Sequence, residues 1–124
     1  MEPKHIEQLA TDIFNWLVDH ELWQDVYIYF NGVCWGTSNK DLSEFCYQER
    51  RYFSFPDDPT RYFEYVRNPN ILSMSFEGPL YHVLNGYEPG WEKLEAEFLA
   101  IFEKYGLYFE LGNAWNLTAC PCPV

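Results

Sequence analysis

Hydrophobic side chains recur along this chain with two different periods. Over residues 3–19, Ile6, Leu9, Ala10, Ile13, Phe14 and Leu17 fall on one stripe, with Glu7, Asp12, Asn15 and Asp19 largely off it. Spacings of three and four residues bring side chains onto one face of a helix, so the segment predicts an amphipathic α-helix. Pro3 suits a first turn, where its missing N–H has no intrahelical partner. Trp16 and Trp23 sit beside the stripe, placed to seal an edge of the core. The helical period returns over 91–105. There Trp91, Leu94, Phe98, Ile101, Phe102 and Tyr105 share a face, Glu92, Lys93, Glu95, Glu97 and Glu103 fill the remainder, and Gly106 supplies the stop.

Between these segments the period shortens to two. In "DVYIYFNGVCWGTS", Asn31-Gly32 separates two β-rich runs, the strongest short-range signal for a hairpin with a two-residue type I′ turn. That turn pairs Phe30 with Val33, Ile28 with Trp35 and Val26 with Thr37 on an apolar face directed at the helices. The opposite face pairs Tyr29 with Cys34 and Tyr27 with Gly36; it is aromatic and only half polar, hence either covered or used. Residues 38–50 read as a loop, 51–55 as a strand and "PDDP" (56–59) as a turn. Residues 60–66 alternate weakly, with strand preferred over helix. "ILSMSF" (71–76) alternates cleanly and predicts a half-buried strand, with Leu72, Met74 and Phe76 on its apolar side. "LYHVLNGY" (80–87) fits a single helical turn stopped by Gly86. Residues 107–119 predict two short strands about a type II′ turn at Gly112-Asn113, and the prolines of "CPCPV" end the ladder there.

The expectation is an α+β fold in a single domain over residues 1–119 with a short tail at 120–124. An antiparallel sheet of about five to six strands carries the N-terminal helix and the second amphipathic helix (91–105) on one face. A length of 124 residues with 20% aromatic side chains supplies a core of ordinary size.

Charge narrows the partners. The net charge is −11, with nineteen acids against eight lysines and arginines. Residues 1–49 contribute −7, residues 50–67 +1 and residues 68–124 −5. Phosphate neutralisation needs cations, so direct nucleic-acid binding and acidic membranes are disfavoured, and a basic partner is favoured. Arg50, Arg51, Arg61 and Arg67 lie among Asp57, Asp58 and Glu64, which points to internal ion pairs or a local contact. The first residues lack the basic-then-apolar pattern of a signal peptide, and no apolar run approaches a membrane span. A cytoplasmic setting with reduced thiols is therefore expected.

No catalytic or cofactor motif occurs. Cys34, Cys46, Cys120 and Cys122 do not have the spacing of a zinc knuckle: the first pair is far apart and the second lies in the tail. Cys34 reads as a packed strand residue, Cys46 as a loop thiol, and Cys120 and Cys122 as frayed terminal thiols. Nothing in the spacing brings a base such as His82 to Cys34 or Cys46. Glu77 beside Tyr81, Tyr87 and Trp91 has the composition of a sugar platform but no second placed acid. No catalytic residue, cofactor or metal is expected.

The function expected is that of a small acidic interaction module. In size and charge alone it is similar to inhibitors from phages and mobile elements, such as anti-restriction and anti-CRISPR proteins. In that reading Asp12, Asp19, Glu92, Glu95 and Glu103 mimic a phosphate array toward a larger basic protein, a nucleic-acid-binding effector, with Tyr27, Tyr29 and Trp91 as apolar anchors. Glu88, with Tyr81, His82 and Tyr87, belongs on the rim of that surface. Two alternatives stand beside it. One is a ligand-binding or enzymatic domain with a pocket of Tyr27, Tyr29, His82 and Trp91. The other is an immunity-type protein for one nuclease toxin.

Overall fold

The computed structural model describes residues 1–63 and 71–123. Helix α1 spans Pro3–Asp19, α2 Pro79–Leu84 and α3 Trp91–Glu103. Strands β1 (Val26–Phe30), β2 (Val33–Gly36), β3 (Phe53–Pro56), β4 (Ser73–Phe76), β5 (Leu107–Asn113) and β6 (Asn116–Pro121) form one antiparallel sheet in the order β3-β2-β1-β4-β6-β5. The protein is thus an α+β domain, with its three helices on one face of the sheet.

The helical stripe of α1 is buried at all six expected positions. It meets Val26, Ile28 and Phe30 of β1, Met74 and Phe76 of β4, and Leu117 and Ala119 of β6. Each such side chain taken fully out of water contributes about 1.5–3 kcal/mol before entropy is charged against it. Phe98 and Phe102 of α3 and Leu80, Val83 and Leu84 of α2 close the same core. Trp23 is fully buried, edge-on to Phe14 at 5.0 Å, and its indole N–H donates to the Arg51 carbonyl at 3.0 Å. It therefore anchors the incoming end of β3 to the core.

The β1–β2 hairpin has the expected register: Phe30 faces Val33, Ile28 Trp35, Tyr29 Cys34 and Tyr27 Gly36. Asn31 (φ +48°) and Gly32 (φ +79°) both occupy the left-handed region, as a type I′ turn requires. The Asn31 amide donates to the Pro3 carbonyl at 2.9 Å and ties this turn to the start of α1.

Three local expectations need correction. Pro59–Arg61 form a turn of 3-10 helix, and Tyr62 and Phe63 belong to no strand; residues 64–66 lie outside the described residues. The Asp58 carboxylate accepts from the Thr60 N–H at 2.9 Å, and this cap outweighs the weak alternation. The last hairpin turns at Ala114-Trp115 rather than Gly112-Asn113. There the Asn113 side chain accepts from the Trp115 N–H, the Asn116 side chain accepts from the Asn113 N–H, and the register shifts between Leu111 and Asn113. Finally, β6 runs on through Cys120 and Pro121, and the Cys122 N–H donates to the Gly106 carbonyl at 3.0 Å. Strand N–H groups alternate in direction, so the donor lacking at Pro121 would point to the side of Ala119, past the Ser73 end of β4.

Candidate functional site

The face of the sheet opposite α1, α2 and α3, helix-free among the described residues apart from the 3-10 turn at Pro59–Arg61, carries the site. Alternation along β1 sends Ile28 into the core and Tyr27 and Tyr29 to the other side. Beside them stand Cys34, Phe55 and, on β4 and β6, Ser73, Ser75 and Thr118. Ser73 and Thr118 are buried, with their hydroxyls 3.2 Å apart. Phe63 lies edge-on to Tyr29 at 5.5 Å and packs on Trp115 at 5.8 Å, so this face has a second, smaller aromatic core.

Next to that core a cavity of about 580 Å³ opens. Tyr27, Tyr29 and Ser75 line it from the sheet. Leu42 and Phe45 come from the loop after β2, and Phe55 and Tyr62 from β3 and the segment after it. Asp25, Asp57 and Glu77 bring negative charge, and Lys40 is the one cation among its described lining residues.

Local hydrogen bonds hold these walls. The Tyr27 hydroxyl pairs with the Ser38 hydroxyl, which donates on to the Asn39 carbonyl at 3.1 Å. Asn39 accepts from the Ser43 and Glu44 N–H groups, and Asp41 accepts from the Ser43 hydroxyl at 2.6 Å. This knot presents Leu42 outward with φ +61°, a conformation that L side chains rarely adopt. Asp25 accepts from the Tyr47 hydroxyl at 2.5 Å, and its carbonyl accepts the Glu77 N–H at 3.1 Å. The Asp57 N–H donates to the Gly32 carbonyl at 3.2 Å.

Burial, with Cys34 and Asp57 adding to it, pushes the Tyr29 hydroxyl far up from its ordinary value. Burial and then Asp57 raise the Cys34 thiol to about 12. Tyr27 and Tyr62 are raised by burial first, with Asp25 adding at Tyr27 and Asp57 at Tyr62. At neutral pH the site therefore offers neutral hydroxyls, a neutral thiol and aromatic faces. Cys34 therefore presents no thiolate nucleophile at neutral pH.

The residues proposed from sequence divide between the two faces. Tyr27 and Tyr29 reach the cavity. Trp91 packs on the main core at the start of α3, and Glu88, Glu92 and Glu103 are exposed in the helical layer, with Glu95 half-exposed. Asp12 is paired with Lys104 at 2.7 Å and accepts from the Tyr105 hydroxyl, and Asp19 is paired with Arg50. Tyr81, His82 and Tyr87 form an aromatic cluster on and beyond α2, so the pocket of Tyr27, Tyr29, His82 and Trp91 is not assembled. Arg50 and Arg51 are in internal ion pairs with Asp19 and Glu49.

Asp25, Asp57, Glu77, Leu42, Phe45, Tyr62 and Trp115 were not singled out as site residues from sequence. The signal was the aromatic outer face of the β1–β2 hairpin. Once β4 pairs with β1, Val26 opposite Phe76 sets Asp25 and Glu77 side by side.

The cysteines differ from expectation in two places. Cys46 is buried, its thiol directed at the carbonyls of Arg51, Thr37 and Gly36 at 3.5–3.8 Å, and Cys120 is buried in β6 rather than frayed. Cys34, Cys46 and Cys122 form no disulfide. Among the described residues no group of three or more histidines, cysteines or acids is placed to hold a metal, and no helix is long and apolar enough to cross a membrane. No protein-family model, curated protein or solved structure matches the chain.

Proposed function

We propose that this chain is a small acidic protein-interaction module that acts by binding alone and takes its basic partner on the helix-free face of the sheet. One observation carries the reading: exposed apolar side chains and acids that form no ion pair among the described residues gather around one cavity. Leu42, Phe45 and Tyr62 are 60%, 48% and 51% exposed and line it, and Tyr47 packs on Phe45 at 5.3 Å. Large exposed apolar groups beside unpaired charge mark interaction sites. Among the described residues, no salt bridge engages Asp25, Asp57 or Glu77, whereas Asp12 and Asp19 on α1 are neutralised internally. The helical acids thus make a poorer phosphate array than the charge count implies.

With a net charge of −11, the favoured partner is a basic, nucleic-acid-binding effector, and occlusion of its functional surface is the proposed action. That is how inhibitors of the anti-restriction and anti-CRISPR kind work, and an immunity protein paired with a nuclease toxin would use the same surface. Cys34, Cys46 and Cys122, outside any disulfide, fit a cytoplasmic setting. A cavity of about 580 Å³ also falls among small-molecule sites, which favours a ligand-binding domain as the second reading.

The test is a nuclease-treated pull-down at low and high salt with three chains: the parent, Leu42→Asp/Phe45→Asp, and Glu92→Lys/Glu95→Lys. A basic protein captured by the parent, released at high salt, lost from the first variant and kept by the second is the expected result. Loss from the helix variant alone would return the function to helical mimicry. Capture of no basic protein would overturn the interaction reading.

A further inference from the structure

The helix-free face holds two adjoining cavities. Besides the larger one, a cavity of about 320 Å³ lies between the Asn31-Gly32 turn and residues 58–60. Tyr29 and Asp57 line both. A small molecule occupies one such space, whereas an extended chain, advancing about 3.3 Å per residue, spans two. Among the described residues the smaller cavity adds Asp58 and no cation to the lining.

Resting on the reading of the chain as a module for a basic partner, we propose that the two cavities form a groove for an extended basic segment of that partner, with one arginine side chain seated in the larger cavity. A guanidinium matches the lining in two ways. Its planar fork bonds carboxylates, and Asp25, Asp57 and Glu77 outnumber Lys40 there. Its flat face stacks on aromatic rings, which Tyr27, Tyr62 and Trp115 present. The exposed Leu42 and Phe45 beside them exclude water once the segment is seated, which strengthens the charged contacts.

The experiment titrates the labelled protein with an acetylated, amidated heptapeptide of alternating glycine and arginine, and follows backbone amide shifts. The same peptide with citrulline for arginine, and spermidine, are the comparison probes. The variants are Asp57→Asn/Glu77→Gln and Asp25→Asn, the latter because asparagine accepts the left-handed backbone of Asp25 (φ +55°) and preserves the fold. Glu2→Gln/Glu7→Gln, at the N-cap and in the first turns of α1, removes as many charges as the double cavity variant elsewhere.

Shifts confined to residues 25–32, 39–45, 55–63 and 75–77 and to Trp115 are expected. So are affinity about tenfold or more weaker for the citrulline peptide, a similar loss in both cavity variants, and none in the α1 variant. Shifts on the helices, equal loss in the α1 variant, spermidine binding as tightly as the peptide, or no shift at millimolar peptide would each overturn the proposal. If the partner captured in the pull-down stays on Asp57→Asn/Glu77→Gln but leaves Leu42→Asp/Phe45→Asp, the arginine seat is wrong and the interaction reading stands. If it stays on both, the placement of the partner on this face of the sheet falls with the groove.

Discussion

The Tyr105 hydroxyl donates a 2.5 Å hydrogen bond to the Asp12 carboxylate and so joins the residue just beyond α3 to the middle of α1. Lys104 Nζ lies 2.7 Å from the same oxygen. Burial by itself raises the acid, but the bonds from Lys104 and Tyr105 together outweigh it and hold Asp12 below the usual carboxylate range. Burial and the bond to Asp12 push Tyr105 up to about 12.

The pH dependence follows from those directions. The stability from Asp12 is present above the ordinary aspartate value of about 3.9 and is lost as pH falls through its lower folded value. The stability from Tyr105 is present below about pH 10 and is lost as pH rises through about 12. In urea titrations Tyr105→Phe is expected to cost about 1 kcal/mol at neutral pH, near the low end for a bond to a charged group because the pair is partly solvated. Asp12→Asn should lose less stability than the parent between pH 5 and pH 3; an equal loss would show that other acids govern the acid limb.

Two glycines are held by contact rather than by conformation, and they should respond differently to alanine. A Cβ on Gly78 would fall 2.5 Å from the Gln24 carbonyl oxygen, a backbone atom with no freedom to swing aside. A Cβ on Gly36 would fall 2.5 Å from the ring of Tyr27, a side chain that has such freedom. Gly78→Ala is expected to cost about 3 kcal/mol and Gly36→Ala about 1 kcal/mol. Gly36→Ala should nonetheless disturb the cavity, because the displaced Tyr27 loses its bond to Ser38. Thermal unfolding gives the order of the two; the reverse order would contradict the contact argument.

Thiol reactivity reports on the fold directly. Cys122 is exposed, whereas Cys34, Cys46 and Cys120 are buried. Burial raises the Cys34 thiol to about 12 and raises Cys46 as well, so neither is a thiolate at neutral pH. A chromogenic disulfide reagent should therefore titrate one thiol rapidly in the native protein and all four in denaturant. More than one fast thiol in the native state would place β6 or the loop around Cys46 differently.

Leu42 sets binding against stability. Its left-handed backbone costs about 1–2 kcal/mol, and its 60% exposed side chain recovers little of that in the free protein. Leu42→Gly removes the strain but makes the unfolded chain more flexible, so stability should stay within about 1 kcal/mol of the parent or rise. Partner capture should weaken. Unchanged capture would remove Leu42 from the interface.

Much of the architecture was legible because it rests on local periods. The α1 stripe, the α3 stripe, the Asn31-Gly32 turn and the alternation of residues 71–76 each encode a face within a few residues. Where side chains compete with the backbone, legibility failed. Asp58 capped a 3-10 turn, and Asn113 with Asn116 moved a hairpin turn by two residues. The acids misled in another way: composition counts Asp12 and Asp19 as free charge, but their neutralising partners Lys104 and Arg50 are 92 and 31 positions away.

What the sequence determined by itself was the inventory: an α+β domain, its helix-facing residues, its negative charge and an aromatic outer face on the first hairpin. Only the tertiary structure decided where that face leads. Strand pairing set Asp25 beside Glu77, and the loop after β2 and the segment after β3 closed Leu42, Phe45 and Tyr62 around Tyr27 and Tyr29. The physical reason is separation along the chain. A period of two or 3.6 says which way a side chain points, but a cavity needs walls from segments dozens of residues apart, and their meeting is settled by packing alone.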